Sequence, residues 1–176
     1  MTTDRRVLIV YGSRNGSTAE IGRWVGQALR ERGLVVEVRD VADAPADLSA
    51  YEAVVLGAGV YMGGWHRDAR RFARRHRREL GSMPVWLFSS GPLDTSCDER
   101  EVPAVPGVAR LAHRLGVRGH ATFGGRLAQG AQGYVARQIL RDGKGGDFRN
   151  QDAVRNWARR VAAELTWELT WEPLTL

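Results

Sequence analysis

The sequence is poor in cysteine, almost devoid of lysine, and free of long apolar runs. A single cysteine, Cys97, excludes an internal disulfide framework and suits a reducing compartment. Its neighbours Asp94, Asp98 and Glu99 disfavour a thiolate, so it reads as an unreactive thiol. No stretch approaches the roughly 20 apolar residues of a membrane helix. Residues 1–6 lead straight into an apolar strand without the layout of a secretory signal, so a cytoplasmic protein is expected. His66, His76, His113 and His120 share no ligand-like spacing with one another or with a carboxylate cluster, and no metal site is expected.

Lys144 is the only lysine, so the net charge of +6 rests almost wholly on arginine. Such a balance fits an anionic partner, or equally a general preference for arginine. The arginines concentrate on one stripe, Arg67, Arg70, Arg71, Arg74 and Arg78, with Ala69, Phe72, Ala73, His76 and Leu80 on the opposite face of one helix spanning 67–80. That stripe is either a solvated face or a peripheral contact with an anionic lipid surface or acidic partner. No aromatics interleave with it to stack on bases, which argues against nucleic acid.

What the sequence does have is a series of apolar strands, each followed by a polar or glycine-rich turn and a helix. Residues 6–11 form a buried strand, and Ile21, Trp24, Val25, Ala28 and Leu29 mark a helix over 17–32, closed by Gly33. Val35–Val38, Ala53–Gly57, Pro84–Ser89 and Arg118–Gly125 supply four further strands. Val108–Leu115 and Gln151–Leu165 supply later helices, the second with Asn150 as its N-cap. Gly124 and Gly125 signal a bend or a close backbone approach. Residues 126–150 hold a short amphipathic helix around Tyr134 to Arg141 and a turn at 142–147.

Alternating strands and helices imply a parallel sheet with right-handed crossovers. The expected architecture is α/β: a doubly wound five-stranded parallel sheet in the order 2-1-3-4-5, with helices on both faces. It occupies residues 1–165 as one domain, with a tail at 166–176 that docks on the body or on a second copy of the chain. In such sheets the ligand lies beyond the carboxyl ends of the strands, at the switch point. This brings together the loops at 12–18, 58–66 and 89–95.

The first of these loops is Gly12-Ser13-Arg14-Asn15-Gly16-Ser17-Thr18. It contains neither a dinucleotide fingerprint nor a Walker A sequence. Its hydroxyls and the amides opening the next helix suit one monoester phosphate, as in FMN. Tyr61 is expected to stack on the flavin ring, and Trp65 either stacks or packs against the 67–80 helix. His66 is read as a cap-region histidine and His76 as a satisfied core residue.

Ser13-x-Asn15-Gly16-x-Thr18 resembles the flavodoxin phosphate loop. Leu56-Gly57-Ala58-Gly59-Val60-Tyr61-Met62-Gly63, Trp65-His66, Ser82-Met83-Pro84, Gly124-Gly125-Arg126-Leu127 and Gly145-Gly146-Asp147 extend the likeness. Together they resemble the flavodoxin-type menaquinone-dependent protoporphyrinogen IX dehydrogenases, over nearly the whole chain to about Leu165. The resemblance implies FMN as cofactor. It implies that Ser13, Arg14, Asn15, Gly16, Ser17 and Thr18 hold the phosphate. Ala58, Gly59, Val60, Tyr61 and Gly63 would line one side of the ring, and Ser89, Ser90, Gly91, Pro92 and Leu93 the other side or the pyrimidine edge. It further implies an oxidoreductase passing electrons from a reduced substrate such as a porphyrinogen, through FMN, to a quinone or partner protein, with no dedicated acid–base residue. A flavodoxin-type electron carrier is the alternative, and the basic charge counts against it. The segment between the fifth strand and the last helix is shorter than in that family and poorer in aromatics and lysine.

Overall fold

The computed structural model describes residues 5–170, with side chains to Trp167. Strand β1 (Arg6–Gly12) runs into α1 (Ser17–Arg30), followed by β2 (Val35–Asp40) and a single 3-10 turn at Val41–Asp43. Next come β3 (Ala53–Tyr61), the two-residue β4 (Gly64–Trp65), α2 (Arg67–Arg75) and α3 (Arg77–Leu80). Then follow β5 (Val85–Ser90), α4 (Ser96–Glu99), α5 (Pro106–Leu115) and β6 (Gly119–Phe123). An excursion carries β7 (Arg126–Leu127), α6 (Tyr134–Arg141) and β8 (Gly146–Asp147) before α7 (Gln151–Thr170).

The sheet order is β2-β1-β3-β5-β6, all parallel, with β4 folded back antiparallel on the end of β3. Setting β4 aside, the five long strands have the 2-1-3-4-5 order expected from the sequence. Val7–Val10 of β1 and Val85–Phe88 of β5 are apolar without interruption because both faces are covered. Ile9, Val55 and Phe88 face one layer, with Ile21, Val25 and Leu29 of α1 and Val154, Trp157 and Val161 of α7. Leu8, Leu56 and Leu87 face the other, with Phe72, Leu80, Val108 and Leu115.

Beyond shifts of one or two residues at element ends, three boundaries differ from the sequence expectation. β3 does not stop at Gly57 but continues to Tyr61, because Ala58 pairs with Gly12 and Gly59 with Ser90, and Val60 and Tyr61 favour extended backbone. The supposed loop at 58–66 is therefore a hairpin, with Met62 (φ 48°) and Gly63 (φ 75°) at its two-residue tip. The 67–80 helix breaks at His76, whose backbone leaves the helical region (φ −97°, ψ 23°) while its buried ring stacks on Phe72 and meets Glu79 Oε2 at 2.9 Å. α7 runs on to Thr170, so the expected tail begins as helix, and its remainder at 171–176 lies outside the described residues.

Asn150 caps α7, accepting the Ala153 amide on Oδ1 at 3.0 Å. Gly124 is the close approach its sequence suggested: a Cβ there would lie 1.9 Å from the Phe148 carbonyl oxygen.

Candidate functional site

The carboxyl ends of β1, β3, β5 and β6 meet the excursion around a cavity of about 380 Å³. Its walls carry more apolar than polar groups, and its size suits a small-molecule ligand.

The floor begins at the turn after β1. Ser13 Oγ accepts the Gly16 amide at 3.0 Å and closes the turn on itself. Gly16 sits in the left-handed region (φ 81°), which glycine adopts without penalty, and no side chain caps α1. The start of α1 is therefore open to an anion from the pocket side, where Ser17 and Thr18 are both buried. The Arg14 guanidinium lies 5.3 Å from the centroid of the Tyr61 ring, and the Arg14 amide donates to Tyr61 Oη at 3.3 Å. The turn after β1 and the hairpin are thus joined.

The hairpin contributes Gly59, Val60, Tyr61 and Met62 to the cavity wall. Gly59 has no room for a side chain, since a Cβ would meet the Tyr61 ring at 2.8 Å. The turn after β5 adds Ser90, Gly91 and Leu93. Gly91 and Gly125 tie the exits of β5 and β6 together: the Gly91 amide donates to Phe123 O at 3.1 Å and the Gly125 amide to Pro92 O at 2.8 Å.

Of the residues expected from sequence, the structure brings Arg14, Asn15, Ser17, Thr18, Gly59, Val60, Tyr61, Ser90, Gly91 and Leu93 to the cavity. Ser13, Gly16, Ala58, Gly63, Ser89 and Pro92 are outside its lining. Ala58 packs in the α2–α5 layer. Ser89 is buried in the same direction, where its hydroxyl accepts the Trp65 indole N–H at 2.8 Å and contacts His120 Nε2 at 2.9 Å. Trp65 is therefore a packed anchor for the hairpin and does not line the cavity. Burial pushes the His120 pKa down to about 4 and holds the imidazole neutral; in the tautomer protonated on Nδ1, its Nε2 accepts the Ser89 hydroxyl proton. His66 is half-buried at the start of α2, where Nδ1 accepts the Asp68 amide.

The excursion supplies most of what sequence reading missed: Gly125, Arg126, Leu127, Gln132, Gly133, Tyr134, Val135, Ala136 and Ile139. β7 and β8 pair antiparallel and bring α6 back over the site. The signal was the amphipathic pattern of 134–141, whose apolar face has a cavity, not a core, to cover. Arg149 fastens the far end. Its guanidinium pairs with Asp147 and Glu20 and lies over Trp24, 5.0 Å from the ring centroid. Cys97 lies beyond this site, and burial raises its thiol further from ionisation. Among the described residues, no group of three His, Cys, Asp or Glu side chains is placed to hold a metal ion.

A site at the switch point of a doubly wound sheet, polar at one helix start and apolar elsewhere, defines a mononucleotide-binding α/β protein. The chain belongs to the flavodoxin domain family, whose model matches residues 8–145. Over 86 residues it is 31% identical to protoporphyrinogen IX dehydrogenase [quinone] of Escherichia coli K12, and equally to that of Escherichia coli O157:H7. That match covers 48% of this chain and 47% of the relative, so it spans about half the length of those proteins. Among solved structures, a flavodoxin from the domain Archaea superposes with a TM-score of 0.63 at 13% identity, covering 92% of this chain and 99% of the other. Rubredoxin oxygen:oxidoreductase of Desulfovibrio gigas gives 0.66 at 14% identity, covering 94% of this chain and 37% of the other. The cofactor of the family site is FMN, and the residues present fit it. The uncapped start of α1 offers amides to a phosphate, and Val60, Leu93, Leu127, Val135 and Ile139 offer apolar walls to a ring.

Proposed function

We propose that this protein is an FMN-dependent oxidoreductase that draws electrons from a reduced substrate of the porphyrinogen type and delivers them to a quinone or other acceptor. The supporting observation is the cavity itself. It combines an anion-binding helix start with a largely apolar enclosure on the side where a ring would lie. The 31% identity to enzymes named protoporphyrinogen IX dehydrogenase [quinone] points the same way. FMN, when bound, supplies the electron exchange.

In this reading the chain's own residues bind, orient and enclose. Thr18, Arg14 and the first amides of α1 hold the phosphate. Tyr61 and Val60 flank the ring from the hairpin, Ser90–Leu93 from the β5 exit, and α6 from the excursion. Leu127, Val135 and Ile139 exclude water from that side. No side chain is assigned an acid–base role. The arginine face of α2 and α3 serves as the contact with an anionic lipid surface, where a quinone would reside.

The experiment is direct. The purified protein should be yellow with flavin absorbance, and should oxidise protoporphyrinogen with a menaquinone analogue. Bound flavin without turnover on any quinone would leave an electron carrier, and a colourless protein that takes up no FMN would overturn the reading.

A further inference from the structure

A cavity of about 380 Å³ has room for one mononucleotide-sized ligand. With FMN in place, a second reactant has to sit at the mouth, and the mouth is where exposed apolar surface gathers. Among the described residues, the large hydrophobic side chains left exposed are Val35, Met62, Tyr134, Val135 and Trp167, and three of these edge this one cavity. Met62, 89% exposed, stands at the tip of the hairpin, and Tyr134, 77% exposed, at the start of α6. Uncovered apolar side chains grouped at a ligand site mark an interaction surface. The charge beside it has one sign. An open recess shares Gln132 and Gly133 with the cavity, and the described residues lining the two include Arg14, Arg126 and Arg137 and no carboxylate. Two of these guanidiniums are engaged: Arg14 lies over the Tyr61 ring beside the turn after β1, and Arg126 lies 3.7 Å from Glu20. Arg137 lines the recess, three residues and so about one turn along α6 from Tyr134. Its side chain has no hydrogen bond or ion pair among the described residues.

We propose that Arg137 is a specificity-determining residue: it receives a carboxylate of the reduced substrate, whose apolar body lies on Met62 and Tyr134 at the cavity mouth. The proposal deepens the functional reading above and rests on it. A porphyrinogen carries carboxylates on short flexible arms around an apolar macrocycle, and the rim offers a counterpart to each. A guanidinium without a partner of its own gives up no ion pair to accept one, and its planar fork matches a carboxylate. A quinone has an apolar ring and no charge. It makes use of the Met62 and Tyr134 surface and not of Arg137. Arg137 therefore separates electron donor from acceptor at one shared mouth.

The test titrates the FMN-loaded protein with protoporphyrin IX and with its dimethyl ester in one detergent buffer, flavin absorbance checking that each variant is folded and loaded. The parent should bind the diacid about three- to tenfold more tightly than the ester, the worth of one charge-assisted pair at a partly exposed site. Arg137→Gln should remove that preference by weakening the diacid alone, and Arg137→Lys should restore part of it. Tyr134→Ala should weaken diacid and ester alike and leave their ratio as in the parent. In turnover, Arg137→Gln should raise KM for protoporphyrinogen by about the same factor and leave KM for a menaquinone analogue unchanged. A parent with no preference for the diacid, a preference that survives in Arg137→Gln, or an equal rise in KM for the quinone would overturn the proposal. The functional reading fails separately: a protein that prefers the diacid through Arg137 yet passes electrons to no quinone keeps this site and loses the oxidoreductase assignment.

Discussion

Thr18 is 1% exposed and lies in the cavity wall on the first turn of α1. Truncating a buried hydroxyl that bonds an anion removes a charge-assisted bond, so Thr18→Ala should weaken FMN binding by about 1–3 kcal/mol in a calorimetric titration. Unchanged affinity would move the phosphate elsewhere. His120 makes a second prediction at this scale. Its pKa falls from 6.5 to about 4 in the folded protein, so the unfolded chain binds the proton first. Stability is complete above 6.5, and is lost as pH falls from there toward 4. His120→Gln keeps a polar partner for Ser89 and removes the titration. The dependence of Tm on pH across that window should flatten, and an undiminished slope would assign the acid sensitivity to another group.

Among the elements, β3 is the one the sheet depends on, and Gly57 is its least replaceable position. A Cβ on Gly57 would fall 1.9 Å from Phe88 Cζ, in a layer where Phe88 also contacts Phe123 and Trp157. Gly57→Ala should cost about 1–3 kcal/mol or more through overpacking, read as a lower denaturant midpoint. β3 also shows what the sequence made legible and what it did not. Its apolar run announced a doubly covered strand, because no polar residue interrupts 53–56. Its last four residues looked like a loop because Ala58 and Gly59 carry little strand preference; pairing with β1 and β5 overrides that local signal. The break at His76 was invisible for a similar reason, since arginines on both sides sustain a helical pattern. The excursion was the hardest to read. Two-residue ladders have no periodicity, and α6 faces a ligand cavity in place of a core. Its contribution to the site therefore could not be seen in a search for buried stripes.

For the whole molecule, charge is unevenly spread. Residues 67–80 carry seven arginines against Asp68 and Glu79, so +5 of the net +6 lies on α2 and α3. Within that segment the arginine pairing is a 4.0 Å contact between exposed Arg71 and Asp68, which contributes little. If this face meets anionic lipid, the protein should cosediment with phosphatidylglycerol vesicles, at about 1 kcal/mol per engaged arginine, and release as salt rises. A triple change of Arg70, Arg71 and Arg74 to glutamine should abolish that, and equal binding to neutral phosphatidylcholine vesicles would rule the face out. No helix among the described residues is long and apolar enough to cross a membrane.

The layering of α7 on α1 bears on how the protein is born. Val154, Trp157, Ala158, Val161 and Leu165 complete the hydrophobic layer that α1 shares. Until residue 165 has cleared the ribosome, α1 lacks its neighbour, and Phe88 and Phe123 lack the Trp157 ring that packs on them. The nascent chain depends in that interval on whatever shields exposed apolar strands from one another.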